Sequence, residues 1–116
     1  MIPRILHQFW CNLNPPDTPP DDVFAVIAKT RRRTQGWQRH LWSCSSVEKI
    51  MEKYPDYLKI FRRLQIPAMK SDLARILVLY EFGGLYLDAT CFPRNDNSAE
   101  KFVSEGSPSW VAAESQ

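Results

Sequence analysis

The stretch from Pro67 to Thr90, P-A-M-K-S-D-L-A-R-I-L-V-L-Y-E-F-G-G-L-Y-L-D-A-T, constrains this chain more than any other. Pro67 suits the first turn of a helix, where its fixed φ is already helical and its missing N–H would have had no partner. From Ala68 to Phe82 apolar side chains fall on almost every face, which predicts a central, buried helix. Gly83 and Gly84 end it, because glycine adopts φ > 0 without a steric penalty. Leu85 to Asp88 then resume as a short strand, whose period of two puts Leu85 and Leu87 on one face and Tyr86 and Asp88 on the other. Buried helix, glycine turn and strand together predict an α/β fold with a small, mostly parallel sheet. Ligands of such sheets gather beyond the carboxyl ends of the strands, and Asp88 is delivered there.

The rest of the chain supplies the elements such a sheet needs. Ile2 to Trp10 is a β-prone run with a strand predicted at residues 4–9, followed by a loop stiffened by Pro15, Pro16, Pro19 and Pro20. Asp21 and Asp22 open an amphipathic helix as capping and first-turn carboxylates, with Val23, Phe24, Val26 and Ile27 as its buried stripe. It ends near Arg31 to Thr34, and Gly36 closes it. Trp37 to Ser43 reads as a second strand, Val47–Met51 and Tyr57–Leu64 as short helices. Residues 1–116 are read as one minimal domain, with 106–116 as an edge strand and a frayed tail.

With 116 residues, the chain holds one small core and no second lobe. No apolar run reaches the length of a membrane span and no secretory signal is readable. Cys11, Cys44 and Cys91 match no zinc spacing, and their odd number argues against a disulfide framework, which points to a reducing, cytoplasmic setting. The formal charge of +2 hides an asymmetry: residues 1–70 carry 12 basic and 6 acidic groups, residues 71–116 carry 3 and 7. That balance allows a phosphate-bearing ligand toward the first half.

Two charges interrupt the otherwise apolar helix. Asp72 and Arg75 lie three residues apart, hence side by side on one face. Buried unpaired charge costs several kcal/mol, roughly, so the two form a structural ion pair or face a polar ligand. Chemically, a carboxylate accepts from a diol and a guanidinium forks onto phosphate oxygens, the two groups that a nucleotide carries. Asp88 reads either as a turn residue or as a ligand for a sugar hydroxyl or for Mg²⁺ or Mn²⁺. Trp10 is a core candidate that can also stack on a base, and His7 and His40 read as packing or surface residues. Arg31, Arg32 and Arg33 read as a solvated helix end, since no aromatic interleaving supports nucleic-acid binding. There is no P-loop and no G-x-G-x-x-G.

Three blocks in order, I-P-R-I-L-H-Q-F-W at 2–10, G-W-Q-R-H-L-W at 36–42 and S-D-L-A-R-I-L-V-L-Y-E-F-G-G-L-Y-L-D-A-T at 71–90, resemble the sugar-binding, DXD-containing glycosyltransferases. These include yeast-type initiating mannosyltransferases, bacterial capsular transferases and the catalytic domains of large clostridial glucosylating toxins. The resemblance implies a GT-A-like, Rossmann-like half domain that binds a nucleotide sugar and passes its hexosyl group to an acceptor hydroxyl. It implies that Trp10 stacks on the base, that Asp72 and Arg75 hold ribose and the donor sugar or phosphate, and that Ser71 and Tyr86 line the same site. Asp88 matches the first aspartate of the DXD motif, which contacts ribose and sugar and assists a divalent cation, Mn²⁺ or Mg²⁺, partly through water.

Two departures qualify this expectation. The chain reads Asp88-Ala89-Thr90, so a neutral hydroxyl, a weak metal ligand, replaces the second aspartate. Only 26 residues follow Thr90, so the chain resembles the donor half alone, with an acceptor half supplied by a partner or a second copy. An inactive nucleotide-sugar-binding module, and a small basic interaction or nucleic-acid-binding protein, are the alternatives to an enzyme.

Overall fold

The computed structural model describes residues 3–12, 19–89 and 110–113. In chain order the elements are β1 (Ile5–Phe9), α1 (Asp21–Arg32), β2 (Gln38–Trp42), α2 (Cys44–Met51), α3 (Pro55–Arg63), α4 (Pro67–Phe82), β3 (Gly84–Leu87) and β4 (Trp110–Ala113). The sheet runs β2-β1-β3-β4. β1 is parallel to both β2 and β3, and β4 joins the β3 edge antiparallel. This is the α/β arrangement with a small, mostly parallel sheet that the sequence predicts, with strand and helix limits shifted by only a few residues.

Local chemistry explains the limits. Ser43 and Ser46 form a reciprocal capping box: the Ser43 hydroxyl accepts from the Ser46 amide at 3.3 Å and the Ser46 hydroxyl accepts from the Ser43 amide at 2.8 Å. α2 therefore starts at Cys44, earlier than its apolar residues alone suggest. Asp21 and Asp22 occupy the first turn of α1 as expected, yet neither caps it; Pro20 stands at the cap position without a side-chain bond. Gly83 closes α4 at φ 68°, its amide donating to the Leu79 carbonyl at 2.9 Å. Gly84 follows at φ 96° and lies so close to β1 that a Cβ there would collide with the Ile5 carbonyl.

Two apolar layers enclose the sheet. Phe9 and Tyr86 pack with Val47, Met51, Phe61 and Val78 from the helices α2, α3 and α4. A smaller cluster of Val23, Ile27 and Ala89, with Trp10 against it, lies toward α1. α4 corrects the expectation of a centrally buried helix. Ala74, Leu77, Val78 and Leu79 are buried, but Ile76 and Tyr80 are 57% and 54% exposed. It covers one sheet face, so only one side of it has anything to pack against.

The expectation of free cysteines is also overturned. Cys11 and Cys44 form a disulfide, with Cα atoms 5.3 Å apart. β1 and β2 are parallel with Ile5 opposite Gln38 and Phe9 opposite Trp42, and two residues beyond each strand the same offset brings Cys11 opposite Cys44. Counting cysteines misses this; strand register dictates it. The inference toward a reducing compartment loses its premise. Cys91 lies outside the described residues.

His7, fully buried in β1, ties the sheet to the end of α4. The indole N–H of Trp42 donates to its Nδ1 at 3.0 Å, so Nε2 carries the proton and donates to the Gly83 carbonyl at 2.8 Å. Burial pushes its pKa down to about 4, against a smaller upward pull from the Gly83 carbonyl. The packing role read from sequence is the one observed.

Candidate functional site

A cleft of about 800 Å³ opens at the carboxyl end of the sheet. One wall is the chain leaving β1, Phe9 to Asn12; the opposite wall is the start of α4, Pro67, Ala68, Ser71, Asp72 and Arg75; Asp88 and Ala89, just past β3, also line it. The topology makes this cleft. Two parallel neighbours end together, and the helix that precedes β3 begins at the same end of the sheet. A 16-residue helix also directs the positive end of its dipole there, which favours an anion.

Of the residues singled out from sequence, Trp10, Ser71, Asp72, Arg75 and Asp88 line this one cleft. Arg75 Nη2 lies 3.3 Å from Asp72 Oδ1, with the two side chains 34% and 65% exposed. The pair is thus both an ion pair and a solvent-open feature of the cleft wall. Trp10 is half-buried, and its indole N–H donates to Asn12 Oδ1 at 3.0 Å, which fixes the ring at the rim. Asp88 is exposed.

Tyr86 takes part from below. It is buried, and its hydroxyl and the Ser71 hydroxyl share a hydrogen bond of 2.8 Å. Burial pushes the Tyr86 pKa up to about 12; the Ser71 bond and Arg75 oppose that rise, while Asp88 and Asp72 add to it. The phenol therefore stays neutral and serves to hold Ser71. Thr90 lies outside the described residues. Sequence reasoning passed over Asn12, a polar residue two positions past a strand end, and Lys70, a cation hidden at an apolar helix start.

The described residues do not make a divalent-cation site. None of their His, Cys, Asp and Glu side chains form a group of three or more. Among the described residues Asp88 is the lone carboxylate past β3, Asp72 is held by Arg75, and position 90 carries a neutral hydroxyl in the sequence. Among the described residues no helix is long and apolar enough to cross a membrane.

Residues 20–105 match the family model described as the glycosyltransferase sugar-binding region containing DXD motif. The chain belongs to this family. The matched stretch holds Asp72, Arg75 and Asp88, and starts after Trp10. Over 88 residues the chain is 32% identical to inositol phosphoceramide mannosyltransferase 1 of Schizosaccharomyces pombe, an alignment covering 75% of this chain and 27% of that protein. Over 90 residues it is 28% identical to an uncharacterized glycosyltransferase of Acanthamoeba polyphaga mimivirus, covering 76% and 35%. The chain therefore spans about a third or less of the length of these two proteins.

Proposed function

We propose that the cleft binds a nucleotide diphosphate sugar in a GT-A-like half domain and that the protein transfers a hexosyl group from it to an acceptor hydroxyl. The observation that carries this reading is the meeting of Asp72 and Arg75, from α4, with Asp88 and Trp10, from two strand ends, around a single open cavity. Trp10 offers an aromatic face for the base. Asp72 and Asp88 accept from ribose and sugar hydroxyls. Arg75, midway along α4 and paired with Asp72, faces the same cleft, and a guanidinium stabilises the charge of a leaving diphosphate by paired hydrogen bonds. The Tyr86–Ser71 bond keeps the α4 wall at a fixed distance from β3.

A divalent cation, where one takes part, would neutralise the diphosphate; in this reading Arg75 shares that task. The Asp88-Ala89-Thr90 sequence favours a second reading, a module that binds nucleotide sugar without turning it over. The basic-surface reading finds less support. Arg31, Arg32 and Arg33 sit at the end of α1 that leads into β2, away from the cleft, and Arg39 donates to the Arg31 carbonyl there at 2.8 Å.

Release of free sugar from UDP- and GDP-sugars, followed with and without Mn²⁺, tests the enzyme reading. Hydrolysis above the uncatalysed rate, which Thr90→Asp makes more dependent on Mn²⁺, supports transfer. Saturable nucleotide binding with no hydrolysis in either protein supports the binding module.

A further inference from the structure

Asn12 lies three residues past the end of β1, half-buried, and lines the cleft together with Trp10. We propose that Asn12 is a positioning residue, whose carboxamide holds the Trp10 indole in the orientation that receives the nucleotide base. The proposal rests on the donor reading above and deepens it with a residue that lies outside both the block at 2–10 and the family match at 20–105.

The backbone around Trp10 is already fixed. Its amide donates to the Trp42 carbonyl at 2.9 Å, and the next residue, Cys11, is joined to Cys44. What is left to vary is the ring, through the torsions of its side chain. Trp10 packs against the cluster of Val23, Ile27 and Ala89, yet it stays half-buried because it also borders the cleft. Apolar contact of that kind is non-directional and leaves the angle of the ring toward the cavity loosely set. The bond from the indole N–H to Asn12 Oδ1, at 3.0 Å, is directional and sets it. An indole nitrogen only donates, so the carboxamide must turn its oxygen to the ring.

Such an arrangement removes a cost from binding. A base that stacks on a ring already held in place does not have to immobilise it, whereas a ring that turns must be ordered each time a nucleotide binds. The gain belongs to the base alone. In the donor reading the diphosphate is met by Arg75, on the opposite wall of the cleft. A defect at Asn12 that acts through the indole therefore separates the affinity for the whole nucleotide from the affinity for its pyrophosphate part. A purely structural role, in shaping the chain beyond β1, would affect both alike.

The test is calorimetric titration, without added metal, of the unmodified chain, Asn12→Leu, Asn12→Asp, Trp10→Phe and the Asn12→Leu/Trp10→Phe double variant. Each is titrated with the tighter-binding of UDP and GDP and with inorganic pyrophosphate. In Asn12→Leu, which removes the acceptor, nucleotide affinity should fall roughly three- to tenfold while pyrophosphate affinity holds. Asn12→Asp keeps an acceptor for the indole, so its added charge should weaken nucleotide and pyrophosphate by the same factor and preserve their ratio. A phenyl ring has no N–H, so in the Trp10→Phe chain Asn12→Leu should change nucleotide affinity no further. An unchanged nucleotide affinity in Asn12→Leu, equal losses for nucleotide and pyrophosphate there, a loss that adds in full to that of Trp10→Phe, or a ratio that falls in Asn12→Asp overturns the proposal and leaves the donor reading standing. No saturable binding of either nucleotide by the unmodified chain overturns the donor reading and the proposal with it.

Discussion

The Tyr86 hydroxyl, on a buried strand, lies 2.8 Å from the Ser71 hydroxyl on the wall of the cleft, joining β3 to α4 directly beneath the candidate donor site. Tyr86→Phe removes one partner and keeps the ring in its apolar layer. The chain should fold with about 1 kcal/mol less stability in urea denaturation, and nucleotide affinity should fall several-fold as Ser71 loses its anchor. Unchanged affinity would show that this bond serves packing only.

The second prediction concerns pH. His7 has its pKa lowered from 6.5 to about 4 in the folded chain, so between those values the unfolded chain binds the proton and the native chain does not. Stability is fully present above pH 6.5 and is lost as pH falls toward 4, by about 3 kcal/mol from this group. Protonation would also set an Nδ1–H against the Trp42 N–H. The ring resonances of His7 should titrate near pH 4 by NMR; a midpoint near 6.5 would contradict the buried, neutral assignment.

Gly36 and Gly84 separate conformation from contact. Both have positive φ, but a Cβ at Gly36 meets open space whereas one at Gly84 runs into β1. Gly36→Ala should cost about 1 kcal/mol. Gly84→Ala should cost about 3 kcal/mol or more. Equal losses in thermal melts would mean that β3 can draw back from Ile5 freely.

The Cys11–Cys44 bond closes a 33-residue separation, and Cys11 borders the cleft. By the loop-entropy argument, reduction with dithiothreitol, or Cys44→Ser, should lower unfolding free energy by up to about 4 kcal/mol. Coincident melting curves with and without reductant would argue that the bond does not form in solution.

Much of this was legible in the sequence because single residues force the outcome. Pro67, Gly83 and Gly84 bracket a helix that has no other way to start or stop, and Asp72 and Arg75 stand out as charges in an apolar helix. What stayed hidden was information held between segments. The disulfide follows from an offset of 33 shared by β1 and β2, which appears only once the two strands are paired. The exposed side of α4 was illegible because Ile76 and Tyr80 look as apolar as Leu77 and Val78; packing on one side alone separates them. Lys70 resembles a surface lysine until the turn of the chain after α3 lays the Phe61 carbonyl over it. Residue types alone left Trp10 between core packing and base stacking and gave Ser71 and Tyr86 no ligand role; family resemblance placed all three at the donor site.

The central claim is that one cleft holds a nucleotide diphosphate through Arg75, Asp72 and Asp88. Its most direct test is calorimetric titration of the unmodified chain, Arg75→Ala and Asp72→Asn with UDP and GDP, without added metal. The account predicts saturable binding of one of the two nucleotides, weakened roughly tenfold or more by Arg75→Ala and less by Asp72→Asn. No saturable binding of either nucleotide, or equal affinity in the Arg75→Ala chain, would contradict it.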